Sequence, residues 1–151
     1  MSGKHLSYKN FGNEQGWSCC FRQWKAKHSH CSLLHGYALG VKFEFMSDCL
    51  DDKNWVMDFG GFKEVKKWLE NLLDHTMLVS EDDPFKDDIC MLAGIGIANV
   101  IVLPNVGCEA LAQYIHEWVA RWTKIQTQGR VDLYKTTVYE HGANGASYVS
   151  L

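Results

Sequence analysis

Between residues 37 and 45 the side chains alternate, with Val41, Phe43 and Phe45 on one side and Lys42 and Glu44 on the other. That period of two predicts a half-buried strand. Residues 17–26 read as an earlier strand and residues 100–103, stopped by Pro104, as a short one. Over residues 62–73 the period changes. Phe62, Val65, Leu69 and Leu72 recur as one helical face, and Lys63, Glu64, Lys66, Lys67 and Glu70 take the wet side. Residues 108–122 predict a second helix on Leu111, Ile115, Trp118, Val119 and Trp122, with Glu109 in the first turn, where the helix dipole favours an anion. Residues 131–140 and 147–151 predict the last strands, separated by the turn Gly142-Ala143-Asn144-Gly145. Residues 48–54 form a polar turn, residues 55–59 an apolar run broken by Gly60-Gly61, residues 80–88 an acidic loop, and residues 89–92 a short helical turn.

Hairpin-joined strands with helices inserted late predict an α+β fold: an antiparallel sheet with two helices on one face. The other face, read as rich in Trp, Tyr and Phe, would need a partner, which predicts an oligomer. A chain of 151 residues fits a single domain spanning 1–151, with a core that needs no disulfide. A net charge of −3 gives no basic footprint, so a nucleic-acid partner is not expected. No apolar run approaches a membrane span, and the first eight residues lack the apolar core of a secretory signal. A reducing cytoplasm is therefore the expected setting for the six cysteines, which form no CxxC pair.

Three fragments carry chemistry. Cys31 follows His28 and His30 and precedes His35, a setting that can lower a thiol pKa; the residue also reads as a small core hydrophobe. Asp74-His75 closes the first helix. The carboxylate can fix the imidazole's tautomer for proton transfer, and the histidine can equally serve the helix dipole. Glu140 ends a strand, where a carboxylate accepting two parallel N–H bonds recognises the N3–H and 2-amino edge of a pterin or guanine. Glu109 reads as a second binding carboxylate or a helix N-terminal acid. His28, His30 and His35 are candidate metal ligands or loop histidines.

Taken together, these fragments resemble the 6-pyruvoyl-tetrahydropterin and 6-carboxytetrahydropterin synthases. That family shows Phe-Ser-Ala-Ala-His-Arg, then Cys with His-Gly-His, Val-x-Asp-Phe before a helix, Asp-His at its end, Ser/Thr-x-Glu at the second helix, and a late strand Glu. This protein reads Trp17-Ser18-Cys19-Cys20-Phe21-Arg22, Cys31 with His35-Gly36-Tyr37, Val56-Met57-Asp58-Phe59, Asp74-His75, Gly107-Cys108-Glu109 and Val138-Tyr139-Glu140, in the same order. The resemblance implies the tunnelling fold, whose strands complete a barrel through oligomerisation as a trimer or hexamer. It implies Cys31, Asp74 and His75 as the proton-transfer set, Glu140 and Glu109 as substrate-binding residues, and 7,8-dihydroneopterin triphosphate as substrate. The product would be a 6-carboxy- or 6-pyruvoyl-type tetrahydropterin, and a deazapurine (queuosine-type) pathway is the expected setting. It also implies zinc. Phe21 and Tyr37, however, stand where that family has its first and third zinc histidines, and His35 alone is in register. Either His28 and His30 rebuild the site around His35, or the site holds no zinc. Two other readings follow from that departure: a zinc-independent relative acting on another pterin or purine, or a non-catalytic pterin- or purine-binding module.

Overall fold

The computed structural model describes residues 3–151; Met1 and Ser2, the first two residues of the expected domain, lie outside the described residues. Among the described residues, eight strands form two four-stranded sheets, accompanied by three α-helices. The larger sheet is antiparallel throughout, in the order β1 (His5–Phe11), β4 (Gly40–Ser47), β7 (Asp132–His141), β8 (Asn144–Val149). The smaller has the order β3 (His35–Ala38), β2 (Ser18–Phe21), β5 (Thr76–Ser80), β6 (Val100–Leu103). Here β2 runs antiparallel to β3 and parallel to β5, and β5 runs parallel to β6. The helices are α1 (Lys63–Leu73), α2 (Lys86–Gly94) and α3 (Cys108–Gln126).

The α+β class stands as expected, and the structure adds to it. A third helix, α2, occupies nine residues where the sequence suggests a shorter turn. Strand β1 escapes the pattern because it is an edge strand whose only buried side chain is Phe11. Strand β5 escapes it because Leu78, Val79 and Ser80 are buried in succession, the unalternating signature of a strand within a parallel pairing. The strand expected over residues 17–26 ends at Phe21, where the backbone leaves the sheet in consecutive turns that lead to Cys31.

The core lies between the helices and the inner face of the larger sheet. Val41, Phe43 and Phe45 on β4 are fully buried, as their alternation requires. Phe62, just before α1, joins this face to the helices, its ring 5.5 Å from Phe45 and 5.2 Å from Trp122 of α3. Trp68 of α1 and Trp118 of α3 stack at 4.4 Å. Side chains of this size each contribute about 1.5–3 kcal/mol through burial.

The uncovered face of the larger sheet corrects one expectation. It carries Leu6, Tyr8, Met46, Tyr139 and Val149 with Asn10, Lys42, Glu44, Lys135, Thr137 and Ser147, so it is mixed: of the expected aromatics it holds two tyrosines and neither Trp nor Phe. Four of the six tryptophans are spent in the core (Trp17, Trp122) and in the α1–α3 stack (Trp68, Trp118), and Trp24 and Trp55 lie in loops. Polar pairs cross this face: Lys135 to Glu44 at 3.2 Å, Thr137 to Ser147 at 2.7 Å, and the Tyr139 hydroxyl donating to Asn10 at 2.8 Å.

Candidate active site

Strand β2 delivers Phe21 to the mouth of a cleft of ≈190 Å³, and the other walls come from distant parts of the sequence. The loop after β2 brings Gln23 and Cys31, β3 brings His35, the first turn of α3 brings Cys108 and Glu109, and the end of β7 brings Glu140. Of the residues singled out in the sequence, Cys31, His35, Glu109 and Glu140 therefore meet in one place.

The cleft is built locally by backbone bonding. The Gln23 amide donates to the Cys31 carbonyl at 2.8 Å, closing the loop. Ser29 caps the short 3₁₀ turn His30–Ser32 by accepting from the Cys31 amide at 3.1 Å. The Asn13 side-chain amide donates to the Ala38 carbonyl at 2.6 Å and to the Glu140 carbonyl at 3.0 Å, which ties the end of β7 to the end of β3. On the far wall Gly107 has φ 105°, open to glycine alone, and an added Cβ there would overlap the Gln23 side-chain nitrogen. That nitrogen donates to the Val106 carbonyl at 2.6 Å. Nothing in the sequence marks Gln23; the unusual Gly107 beside Cys108-Glu109 is the one trace of the space it fills.

Charge in the cleft is distributed unevenly. Burial, reinforced by Glu140 and Glu109, pushes the Cys108 thiol up to about 12, so it remains protonated and inert. Cys31 is exposed, which makes it the accessible thiol of the pair. The Glu140 carboxylate raises the Tyr37 phenol above its usual value, chiefly through its charge, and burial adds to the effect. The His35 Nδ1 lies 2.7 Å from the Leu33 carbonyl. A carbonyl only accepts, so Nδ1 carries the proton and Nε2 is the bare nitrogen of the neutral ring.

Asp74 and His75 do not line this cleft. Asp74 ends α1, and His75 follows it in the left-handed region at φ 55°, a strained conformation for a residue with a Cβ. Its Nδ1 stands 2.8 Å from an Asp74 carboxylate oxygen, so the pair is formed as a couple. The ring is 85% exposed and borders a separate concavity of ≈560 Å³ with Cys20, Met77 and Asn99.

Residues 12–150 match the family described as 6-pyruvoyl tetrahydropterin synthase. The chain belongs to that family. Its sequence is 28% identical over 123 residues to the 6-carboxy-5,6,7,8-tetrahydropterin synthase of Aquifex aeolicus, an alignment covering 78% of this protein and 75% of the relative. In fold it is similar to an uncharacterized protein from Wolinella succinogenes, with a TM-score of 0.81 at 19% identity, covering 99% of this protein and 100% of the other. It is also similar to the 6-pyruvoyl tetrahydropterin synthase of Plasmodium falciparum, with a TM-score of 0.69 at 17% identity, covering 97% and 98%.

The resemblance implies a zinc ion for a 6-pyruvoyl tetrahydropterin synthase fold, and the donor set here can be tested against it. At the three positions, Phe21 offers no donor atom and stands 5.7 Å from His35, ring to ring. Tyr37 meets His35 edge-on at 5.6 Å, its phenol held neutral by Glu140. His28 and His30 are exposed and line no wall of the cleft. Among the described residues no three His, Cys, Asp or Glu side chains are placed to hold a metal together. A catalytic zinc needs about three protein ligands. The residues do not fit it, and the three-histidine set of His28, His30 and His35 expected from the sequence is not assembled. The reason is geometric: the consecutive turns between Gln23 and Leu33 leave both extra histidines exposed and outside the lining of the cleft.

Proposed function

We propose that this protein is a lyase acting on the C6 substituent of a dihydropterin, of which 7,8-dihydroneopterin triphosphate is the first candidate, and that it works without a three-ligand zinc centre. The observation that supports the reading is the meeting of Cys31 with Glu140 and Glu109 in one small cleft. Glu140 accepts the N3–H and 2-amino protons of the ring as a forked pair, a charge-assisted contact that fixes orientation. Glu109, in the first turn of α3, stands on the same wall as the inert Cys108.

The ring itself supplies the electron sink. In a 7,8-dihydropterin the C6=N5 imine acidifies the C–H bond on the carbon attached to C6, so a thiolate can remove that proton and leave its electron pair delocalised toward N5. Protonation at N5 and C6 and collapse of the C1′ hydroxyl to a ketone then acidify the C2′–H bond, and removal of that proton expels triphosphate from C3′, the leaving group taking the pair of its C–O bond. Cys31 is the proton-abstracting group in this reading. The Asp74–His75 couple returns the proton from a neighbouring copy, because within one protomer it borders a different concavity. That arrangement makes the working form a homo-oligomer, a trimer or hexamer, in a reducing cytoplasm. A 6-carboxy-type product, and with it a place in deazapurine synthesis, is the favoured outcome because the Aquifex aeolicus relative, matched over most of its length, carries that name. It requires water to cleave the C1′–C2′ bond of the dicarbonyl side chain, leaving C1′ as the carboxylate and releasing the other two carbons as acetaldehyde.

The non-catalytic alternative keeps Glu140 and dispenses with Cys31. Turnover of 7,8-dihydroneopterin triphosphate, followed by phosphate release and by product fluorescence, separates the two. Wild-type turnover lost in Cys31→Ala supports the lyase. Tight binding with no turnover in either protein supports the binding module.

A further inference from the structure

Arg22 leaves β2 directly after Phe21 and turns its guanidinium into the protein. Its Nε and Nη2 donate to the two oxygens of Asp83 at 2.8 and 2.6 Å, a fork-to-fork pair. Asp83 has 1% of its side chain exposed, and one of its oxygens also accepts from the Phe85 amide at 2.9 Å. The remaining guanidinium nitrogen, Nη1, donates to the Ser32 carbonyl at 3.2 Å. Ser32 follows Cys31. A second tie runs alongside, from the Trp24 indole to Asp82 at 3.0 Å, with Lys25 on the same carboxylate at 3.1 Å.

These contacts converge on one residue. The Cys31 amide is held by Ser29, its carbonyl by Gln23, and the next carbonyl by Arg22. Only the last of the three reaches outside the loop, to the segment between β5 and α2. The Gln23, Trp24 and Lys25 side chains tie the first turns of the loop to Val106 and Asp82, and Arg22 is the tie at its Cys31–Ser32 end. We infer that the Arg22–Asp83 pair is a positioning device that fixes the Cys31 thiol in the cleft, with Asp83 aiming the guanidinium and Arg22 holding the Ser32 carbonyl. The inference rests on the role proposed above for Cys31 and adds two positioning residues to it. Lysine cannot replace Arg22 here, since one ammonium cannot span a forked carboxylate and a separate carbonyl at once.

Removing either partner alone strands a buried charge and destabilises the fold whatever the pair does for Cys31. The decisive variant removes both charges, Arg22→Met with Asp83→Leu, which restores an apolar contact but leaves the Ser32 carbonyl, and on the far side the Phe85 amide, without partners. It is compared with wild type and with Arg22→Lys by thermal melting, by hydrogen exchange of the amides over residues 23–33, and by steady-state turnover of 7,8-dihydroneopterin triphosphate. A positioning role predicts that the double variant keeps a cooperative melt, loses protection at Gln23 and Cys31 beyond that of the rest of the chain, and has kcat lowered ~100-fold with KM little changed. Wild-type kcat in the double variant, or unchanged protection across the loop, overturns the inference. Failure of the proposed function reads differently. If wild type has no turnover, or Cys31→Ala keeps it, the lyase reading falls, and the exchange data alone decide whether the pair fixes the loop.

Discussion

The Phe21 ring lies 5.7 Å from the imidazole of His35, at a position where the resemblance calls for a metal-binding histidine. A phenyl face beside an imidazole excludes a second nitrogen donor from that side, and Tyr37 closes the other at 5.6 Å. Elemental analysis of protein purified without chelator is expected to give zinc far below one equivalent. The paired substitution Phe21→His and Tyr37→His is expected to raise zinc uptake. Stoichiometric zinc in the wild-type protein would show that ligands converge on His35 from elsewhere, such as a second copy.

Gly107 is expected to be the least replaceable glycine near the cleft. Alanine there meets an unfavourable backbone region at a cost of order 1–3 kcal/mol. It also displaces the Gln23 side-chain amide from its bond to Val106. Urea unfolding should show Gly107→Ala clearly destabilised. Adding Gln23→Ala should relieve the steric part but not the backbone part. Full recovery in the double variant would mean the backbone of residue 107 tolerates a Cβ.

Much of the fold is legible from pattern, because β4, α1 and α3 each bury one regular face. Strands β1 and β5 are not: the first is an edge strand with one buried side chain, and the second is buried without alternation. At the site, Cys31, Glu109 and Glu140 are legible because their residue types announce proton transfer and ring recognition. Gln23, Arg22 and Asp83 are not, since an amide and an ion pair gain meaning only when the loop after β2 is seen folded against the start of α3 and the segment before α2. The separation of His75 from Cys31 is equally invisible, because nothing in the spacing of the two says on which side of β2 each will stand.

The cysteines should differ sharply in reactivity. Burial pushes the thiols of Cys19 and Cys108 up to about 12, which leaves almost no thiolate at neutral pH. Brief iodoacetamide treatment of native protein followed by peptide mapping should label the exposed Cys31 and Cys49, and leave Cys19 and Cys108 unmodified until the protein unfolds. Early labelling of Cys108 would mean that the floor of the cleft is open to solvent.

Acid should weaken the fold partly through His116. This ring is buried between Thr136 at 3.0 Å and Ser150 at 3.1 Å, and burial pulls its pKa below the ordinary value. An unfolded histidine takes up its proton near about 6.5, while the native ring resists it. The unfolded state therefore binds more protons below that pH, and stability is full above it and declines as the pH falls through it. Urea midpoints measured from pH 7.5 down to 5.5 should fall more steeply for wild type than for His116→Gln. Parallel slopes would assign the acid sensitivity to other groups.

Whether Glu140 grips a pterin ring is answered most directly by calorimetric titration of 7,8-dihydroneopterin, without its phosphates, into wild-type protein and Glu140→Ala. Removing one partner of a desolvated, charge-assisted pair costs about 2 kcal/mol or more, so affinity should drop by roughly 30-fold at least. Equal affinity in the two proteins would contradict the account, since the ring would then be held somewhere other than the cleft that Cys31 shares with Glu140.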